Sequence, residues 1–102
     1  MRFRGKTALI TGGGTGIGAA VARRIRDEGG NVALVGRRLE PLQQIATETG
    51  GLAIAADAAD GEAMTRAIAQ TKERFGAVDI LIANAGGHGV GPTIDMSDET
   101  WA

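Results

Sequence analysis

Residues 11–18 read Thr-Gly-Gly-Gly-Thr-Gly-Ile-Gly, so that five of eight positions are glycine. The apolar run 7–10 precedes this turn and predicts a buried strand, and the residues after it follow helical spacing. A strand, a glycine turn and a helix in this order form a phosphate site. The backbone can approach the ligand closely there, and the helix N-terminus offers N–H groups and a positive dipole end. The segment therefore predicts a pyrophosphate site at the start of the first helix.

Composition narrows the class of protein and its partners. The 102 residues carry a net charge of −1, with 43% apolar and 23% charged residues, which gives no electrostatic reason to expect nucleic acid or an anionic membrane as partner. Cysteine is absent, which excludes thiolate chemistry and allows a reducing cytoplasm. The apolar run behind the basic N-terminus is too short for a signal peptide or a membrane span. We therefore expect a cytoplasmic protein of one domain.

Short apolar runs alternate with longer runs of helical spacing along the chain. Strands are predicted over 7–11, 32–35, 52–56 and 78–83, and helices over 17–28, 39–49 and 60–75. In the first helix the recurring positions are Ile17, Ala20, Val21, Arg24 and Ile25. Apolar strands without alternation indicate a parallel sheet that is covered on both faces, and right-handed crossovers make it an open doubly wound sheet.

The segment after the fourth predicted strand is rich in glycine. Residues 84–95 are expected to be irregular, and Ser97 is expected to cap a fourth helix, of which the chain holds only the start. The predicted fold class is therefore α/β, a partial Rossmann-type doubly wound parallel sheet. It would contain four strands in the order 3-2-1-4, three helices and the beginning of a fourth.

The glycine turn matches two related patterns. One is the general dinucleotide fingerprint, here Gly14-x-Gly16-x-x-Ala19. The other, which fits better, is Thr11-Gly-x-x-x-Gly-x-Gly18. A structural turn without a ligand is the alternative, but a strand before it, a helix after it and a second strand within about 30 residues are the context of a dinucleotide site.

Together with Asn84-Ala85-Gly86 after the fourth strand, this turn resembles the short-chain dehydrogenase/reductase family. Asp57 falls where that family keeps an acid near the adenine amino group. Pro92 and Trp101 fall where it often has a proline and a tryptophan before its next helix. The resemblance runs along the whole chain but covers only the N-terminal part of a family member. Residues 1–102 are therefore interpreted as a partial dinucleotide-binding domain, with no second domain.

The resemblance implies roles for residues in the loops that follow the strands. The expected cofactor-binding residues are Gly12, Gly14, Thr15, Gly16, Ile17, Gly18, Arg37, Arg38, Asp57, Asn84, Ala85 and Gly86. The motif glycines would form the turn under the pyrophosphate, and 84–86 would line the nicotinamide-ribose side. In a 3-2-1-4 sheet the loops after the first and fourth strands face each other, which agrees with this arrangement. The alternative for Asn84 is a side chain that only ties neighbouring strands together.

The end of the second strand discriminates between NAD and NADP. An acid there accepts hydrogen bonds from the ribose 2′-OH and repels a 2′-phosphate, whereas an arginine binds that phosphate. Gly36 stands at the position of the acid and Arg37 follows it, which resembles the NADP-preferring pattern. The alternative is that Arg37 and Arg38 are a solvated surface pair, although arginine at a helix N-terminus is electrostatically unfavourable without a ligand. We expect NADP in preference to NAD, although Thr15 replaces the family's other basic NADP marker.

The resemblance implies hydride transfer between a nicotinamide and a small alcohol or carbonyl substrate. The family's proton relay uses a tyrosine, a lysine, a serine and an asparagine, and this chain contains no tyrosine. Its one serine, Ser97, lies too early and is interpreted as a helix cap. We therefore assign no catalytic and no metal-ligating residue. The chain alone is expected to be inactive, and the parent enzyme is expected to be a homo-oligomer.

Three hypotheses remain open from the sequence. The chain is the N-terminal part of an NADP-dependent oxidoreductase, a non-catalytic nucleotide-binding module that works through a partner chain, or a non-redox Rossmann enzyme such as a methyltransferase. Residues 84–86 and Arg37 argue against the third, and an end inside a predicted helix favours the first over the second. An unpaired edge and a poorly covered face on the fourth strand would make the isolated chain marginally stable.

Overall fold

A computed structural model describes residues 3–12, 16–83 and 93–95, the last three by their backbone. The elements in these ranges are β1 (Thr7–Thr11), α1 (Gly16–Asp27), β2 (Asn31–Gly36), α2 (Leu39–Thr49), β3 (Leu52–Ala55), α3 (Gly61–Phe75), β4 (Ile80–Ala83) and β5 (Thr93–Asp95). The strands form one sheet in the order β3-β2-β1-β4-β5. β1 to β4 pair in parallel, which confirms the predicted 3-2-1-4 order of a Rossmann-type fold.

The fifth strand corrects the expectation for the glycine-rich segment. β5 lies within residues 84–95, which were expected to be irregular, and it pairs antiparallel with β4. The pairing runs from Ala83 opposite Thr93 to Leu81 opposite Asp95. Three residues are too few to show a periodic pattern, so the sequence did not indicate this strand. The expected unpaired edge of β4 is therefore wrong, because β5 occupies it. The predicted helix at Ser97 lies outside the described residues, and the marginal stability of the isolated chain stays a prediction.

Two clusters of apolar side chains cover the two faces of the sheet. Ala8 and Ile10 of β1 lie in one cluster and Leu9 in the other, because successive side chains of a strand point to opposite faces. The first cluster includes buried residues of α1 and α2, and the second includes Ala67 of α3. The helices therefore lie on both faces, which is the layering of a doubly wound sheet.

The buried face of α1 differs from the one that the apolar periodicity indicated. Its buried residues are Gly18, Ala19, Ala22 and Ile25. Ile17 and Ala20, which were part of the recurring pattern, are exposed. Small residues allow a helix to approach a strand closely, and a pattern that weights large apolar side chains misses such a face. α1 is consequently rotated so that Ile17 points away from the core.

Asp79 joins β4 to β1 at the amino edge of the sheet. The Thr7 N–H donates to Asp79 Oδ2 at 2.9 Å, and the Asp79 N–H donates to the Thr7 carbonyl oxygen at 2.9 Å. Thr7 is only 1% exposed. These bonds lie next to the register pair Ala8 and Ile80, so they hold β4 beside β1. Among the described residues, no helix is long and apolar enough to cross a membrane.

Candidate cofactor site

The carboxyl ends of the parallel strands meet at one edge of the sheet. Thr11, the last residue of β1, is the register partner of Val35 in β2 and of Ala83 in β4. The Thr11 hydroxyl donates to the Ile82 carbonyl oxygen at 3.4 Å. Asn84 directly follows Ala83 in the chain, so the strands β1 and β4 end side by side, and the facing of the loops after them stays a prediction. Doubly wound sheets bind their ligands at such a point, where the strand order reverses.

Gly12 opens the turn after β1 and is required there by its backbone conformation. Its φ is 68°, a left-handed value that residues with a side chain rarely adopt. Its N–H donates to the Val35 carbonyl oxygen at 2.7 Å, so the chain leaves β1 while it is still bonded to β2. The backbone conformation therefore explains the glycine at position 12 without any ligand.

Gly16, the first residue of α1, is not required by its backbone conformation. A Cβ built on it meets no atom of the described residues within 4 Å, and its φ lies outside the left-handed region. The first turn of α1 carries no acidic side chain that would neutralise the positive end of the helix dipole. The missing side chain leaves open space at a positively polarised helix end, which is what a bound pyrophosphate needs.

Ile17 and Gly18 are neighbours in the first turn of α1 but have opposite surroundings. Gly18 is on the buried side of the helix, where a missing side chain permits close packing. Ile17 is 57% exposed, and Leu39 at the start of α2 is 40% exposed. In the described part of the chain these are the exposed large apolar side chains, and both lie in the first turn of a helix at the carboxyl edge. The sequence predicted Ile17 as a site residue but placed Leu39 only in the apolar pattern of α2.

The end of β2 carries two arginines and no carboxylate. Gly36 is the last residue of β2, and the three atoms nearest to a Cβ there would be side-chain atoms of Leu42, the nearest at 3.4 Å. Arg37 follows with a side chain that is 79% exposed. Arg38 is the N-cap residue of α2 and makes no capping hydrogen bond with its side chain.

The helices α2 and α3 differ in their N-cap residues. Asp60 caps α3, and its Oδ1 accepts hydrogen bonds from the N–H of Glu62 at 3.0 Å and of Ala63 at 3.3 Å. Arg38 at the equivalent place offers no acceptor, and its positive charge opposes the dipole of α2. Both helices carry an acid in the first turn, Glu40 in α2 and Glu62 in α3, so the difference between them is the missing side-chain acceptor at Arg38, which a bound anion could supply.

Arg37 and Asp57 come together across the ends of β2 and β3. Arg37 Nη2 lies 3.7 Å from Asp57 Oδ1. The Ala56 N–H donates to the Gly36 carbonyl oxygen at 2.8 Å and holds the two strand ends together. Asp57 Oδ1 also accepts the Ala59 N–H at 2.9 Å. The sequence assigned the two side chains to separate parts of a nucleotide, and the structure makes them an ion pair.

The structure describes part of the predicted cofactor-binding set. Described residues of the set, all at or beside the carboxyl edge, are Gly12, Gly16, Ile17, Gly18, Arg37, Arg38 and Asp57. Gly14, Thr15, Asn84, Ala85 and Gly86 lie outside the described residues. Their roles, and those of the described members, stay predictions.

A family model described as short chain dehydrogenase matches residues 6–102. The chain belongs to the short-chain dehydrogenase family. This assignment confirms the resemblance to the short-chain dehydrogenase/reductase family that the sequence motifs indicated. It argues against the methyltransferase hypothesis. Among relatives of the chain, sorbitol dehydrogenase of Cereibacter sphaeroides is 39% identical over 99% of the chain and 40% of its own length. Meso-2,3-butanediol dehydrogenase of Serratia marcescens is 34% identical over 99% of the chain and 41% of its own length.

Solved structures of the short-chain dehydrogenase family share the fold. A short-chain dehydrogenase/reductase from Serratia marcescens matches with a TM-score of 0.79 and 36% identity, over 85% of this chain and 38% of that one. A 3-ketoacyl-(acyl-carrier-protein) reductase from Brucella melitensis, complexed with NADH, matches with a TM-score of 0.74 and 39% identity, over 76% and 33% of the two chains. The chain thus spans about two-fifths of the length of the two curated relatives named above.

Proposed function

We propose that this chain is the N-terminal cofactor-binding part of an NAD(P)-dependent oxidoreductase, and that it binds NADP(H) in preference to NAD(H). The observation that carries the proposal is the end of β2, where Gly36 stands at the position of the acid that would select the 2′-OH and Arg37 follows it. In the longer protein, the bound nicotinamide would exchange a hydride with an alcohol or carbonyl. The composition and the family support a cytoplasmic homo-oligomer without nucleic-acid or membrane partners.

The pyrophosphate would lie at the start of α1. Gly12 turns the chain away from β1, Gly16 leaves open space, and Gly18 lets the helix pack closely on the sheet. Asp57 at the end of β3 would face the adenine. Asn84-Ala85-Gly86, which follow β4 in the chain, would lie on the nicotinamide side, because β4 and β3 are on opposite sides of β1.

The 2′-phosphate would lie between Arg37 and the start of α2. A guanidinium can bind phosphate through two parallel hydrogen bonds, and its exposed position lets Arg37 reach a ligand at this edge. Arg38 adds a second positive charge at a helix start that has no side-chain cap. Both features favour an anion at the place where an acid would instead select the 2′-OH of NAD.

The proton relay would come from other parts of the longer protein, because no tyrosine is present in these residues. A phenol with an ordinary pKa of about 10 must be shifted toward neutrality to act as the general acid. We therefore propose that the chain alone binds the cofactor but does not turn it over.

Titration of the chain with NADPH and NADH tests the proposal, with wild type and Arg37→Ala compared. We expect wild type to prefer NADPH, and Arg37→Ala to lower the NADPH affinity about tenfold, which corresponds to about 1.4 kcal/mol, with little change for NADH. Arg26→Ala is the matched control, because Arg26 is exposed in the last turn of α1, at the far end of the helix from the site. An unchanged preference in Arg37→Ala would exclude the NADP(H) assignment.

A further inference from the structure

We propose that Asp57 limits the affinity of this site for a 2′-phosphate by competing for Arg37. The proposal rests on the NADP(H) site proposed above and adds a specificity-determining residue to it. Asp57 Oδ1 is the ion-pair partner of Arg37 Nη2, at 3.7 Å. A ligand phosphate that binds Arg37 must take the guanidinium away from this carboxylate or share it.

The carboxylate is the fixed member of the pair. Asp57 Oδ1 accepts the Ala59 N–H at 2.9 Å, and the Asp57 carbonyl oxygen accepts the Asp60 N–H at 2.9 Å. The turn therefore fixes both the side-chain carboxylate and the backbone carbonyl of Asp57. The Asp57 side chain is 47% exposed. Its position is also tied to β2, because the preceding residue, Ala56, is hydrogen-bonded to Gly36.

Arg37 is the member that can move. Its side chain is 79% exposed, and a separation of 3.7 Å exceeds hydrogen-bond distance. Within the described residues, Asp57 is its ion-pair partner and no second acid competes. An exposed ion pair of this kind is weak, so a phosphate with two charge-assisted hydrogen bonds can displace it.

Competition for Arg37 and direct repulsion of the phosphate by Asp57 both lower the affinity for a 2′-phosphate. A phosphate monoester brings a charge of roughly −1.5 to −2 at neutral pH close to the Asp57 carboxylate. The carboxylate therefore neutralises the cation in the free protein and repels the ligand in the complex. A role for Asp57 at the adenine would instead affect all adenine nucleotides alike. The ratio of affinities for nucleotides with and without a 2′-phosphate separates the two roles.

Asp57→Asn is the matched substitution. The amide oxygen can still accept the Ala59 N–H, so the turn is kept while the charge is removed. Asp57→Ser, which also keeps a turn-forming acceptor, is a second variant. Asp60→Asn is the control, because it removes the same charge three residues along while asparagine still caps α3.

The experiment titrates adenosine 2′,5′-bisphosphate and 5′-AMP into the chain by calorimetry at low salt. We expect Asp57→Asn and Asp57→Ser to raise the bisphosphate-to-AMP affinity ratio by up to about fivefold, the upper end of the range for an exposed ion pair. The increase should be smaller when Arg37→Ala is also present, and Asp60→Asn should leave the ratio as in wild type.

The outcomes separate this proposal from the one on which it rests. One outcome is that Arg37→Ala lowers the bisphosphate-to-AMP affinity ratio while both Asp57 variants leave this ratio unchanged or lower it. The proposed competition by Asp57 is then rejected, and the proposed NADP(H) site is retained. If wild type binds neither nucleotide, or Arg37→Ala leaves the ratio unchanged, the NADP(H) site is rejected and the competition with it.

Discussion

Arg23 and Glu48 join α1 to α2 through two hydrogen bonds. Arg23 Nε donates to Glu48 Oε2 at 2.7 Å, and Arg23 Nη2 donates to Glu48 Oε1 at 3.2 Å. The hydrogen bonds from Arg23 lower the pKa of the Glu48 carboxyl against a smaller opposing effect of desolvation. This pair lies on the helix layer outside the sheet, away from the residues assigned to the cofactor.

The lowered pKa of Glu48 predicts how the pair depends on pH. A carboxyl with a lower pKa in the folded protein adds stability above its unfolded pKa of about 4.3, and this contribution is lost as pH falls through the folded value. We therefore expect Glu48→Gln to lower the melting temperature slightly at pH 7 and to have no effect at a pH below the folded pKa of Glu48. Thermal melts of both proteins at the two pH values measure this. A difference that is larger at low pH would contradict the assignment.

Asp79 is predicted to stabilise the sheet through its bond to Thr7. Asp79→Ala would leave the N–H of the buried Thr7 without its carboxylate acceptor, which costs about 1–3 kcal/mol. Asp79→Asn keeps an acceptor oxygen and should lose less. Urea denaturation of the three proteins gives the free energies of unfolding. Equal stability of the alanine and asparagine variants would show that this hydrogen bond does not hold β4 to β1.

Gly36→Asp is predicted to shift the cofactor preference toward NADH. A Cβ is tolerated at this position, since the three atoms nearest to it would be Leu42 side-chain atoms at 3.4–3.8 Å, which is ordinary van der Waals contact. The new carboxylate would accept hydrogen bonds from the 2′-OH and repel the 2′-phosphate, with a loss of NADPH affinity of about tenfold, or about 1.4 kcal/mol. Fluorescence titration with both cofactors measures the ratio. Gly36→Ala is the steric control, and an equal shift in that variant would rule out the electrostatic explanation.

Gly12 and Gly16 are predicted to respond to alanine in opposite ways. Gly12→Ala should lower the stability of the free chain by about 1 kcal/mol or more, because a φ of 68° strains any residue with a Cβ. Gly16→Ala should leave the free chain as stable or stabilise it by up to about 1 kcal/mol, because alanine favours the helix and finds open space.

The same Gly16→Ala variant should weaken the binding of NADPH and NADH to a similar extent, since both carry the pyrophosphate. Melting curves without ligand and titrations with each cofactor check the two halves of the prediction. Unimpaired binding by Gly16→Ala would mean that the open space at the start of α1 does not receive the pyrophosphate.

Local patterns were sufficient for most of the architecture. The glycine turn at 11–18, the alternation of strand and helix patterns and the glycine stops predicted four parallel strands and three helices in the right order. These features depend on residues that are close in the chain, where backbone preferences and side-chain periodicity are expressed directly. Gly12 is an example, because its place after a buried strand already predicts a turn that needs glycine.

Contacts between distant residues required the folded chain. Thr7 and Asp79 are 72 positions apart, and their bond depends on β4 pairing with β1. The strand β5 is too short to leave a pattern, and it is stabilised by its partner β4 rather than by its own sequence. The small residues on the buried face of α1 gain their meaning only from the sheet against which they pack.

Arg37 and Asp57, which determine the proposed cofactor specificity, depend on both the local sequence and the tertiary structure. Sequence alone placed Arg37 and Asp57 after successive strands and gave each a separate role in binding a nucleotide. Only the tertiary structure showed that they form an ion pair, because the parallel pairing of β2 and β3 sets the register that brings both strand ends together. Residue type and local spacing determine which chemistry is available, whereas strand register determines which charged groups meet.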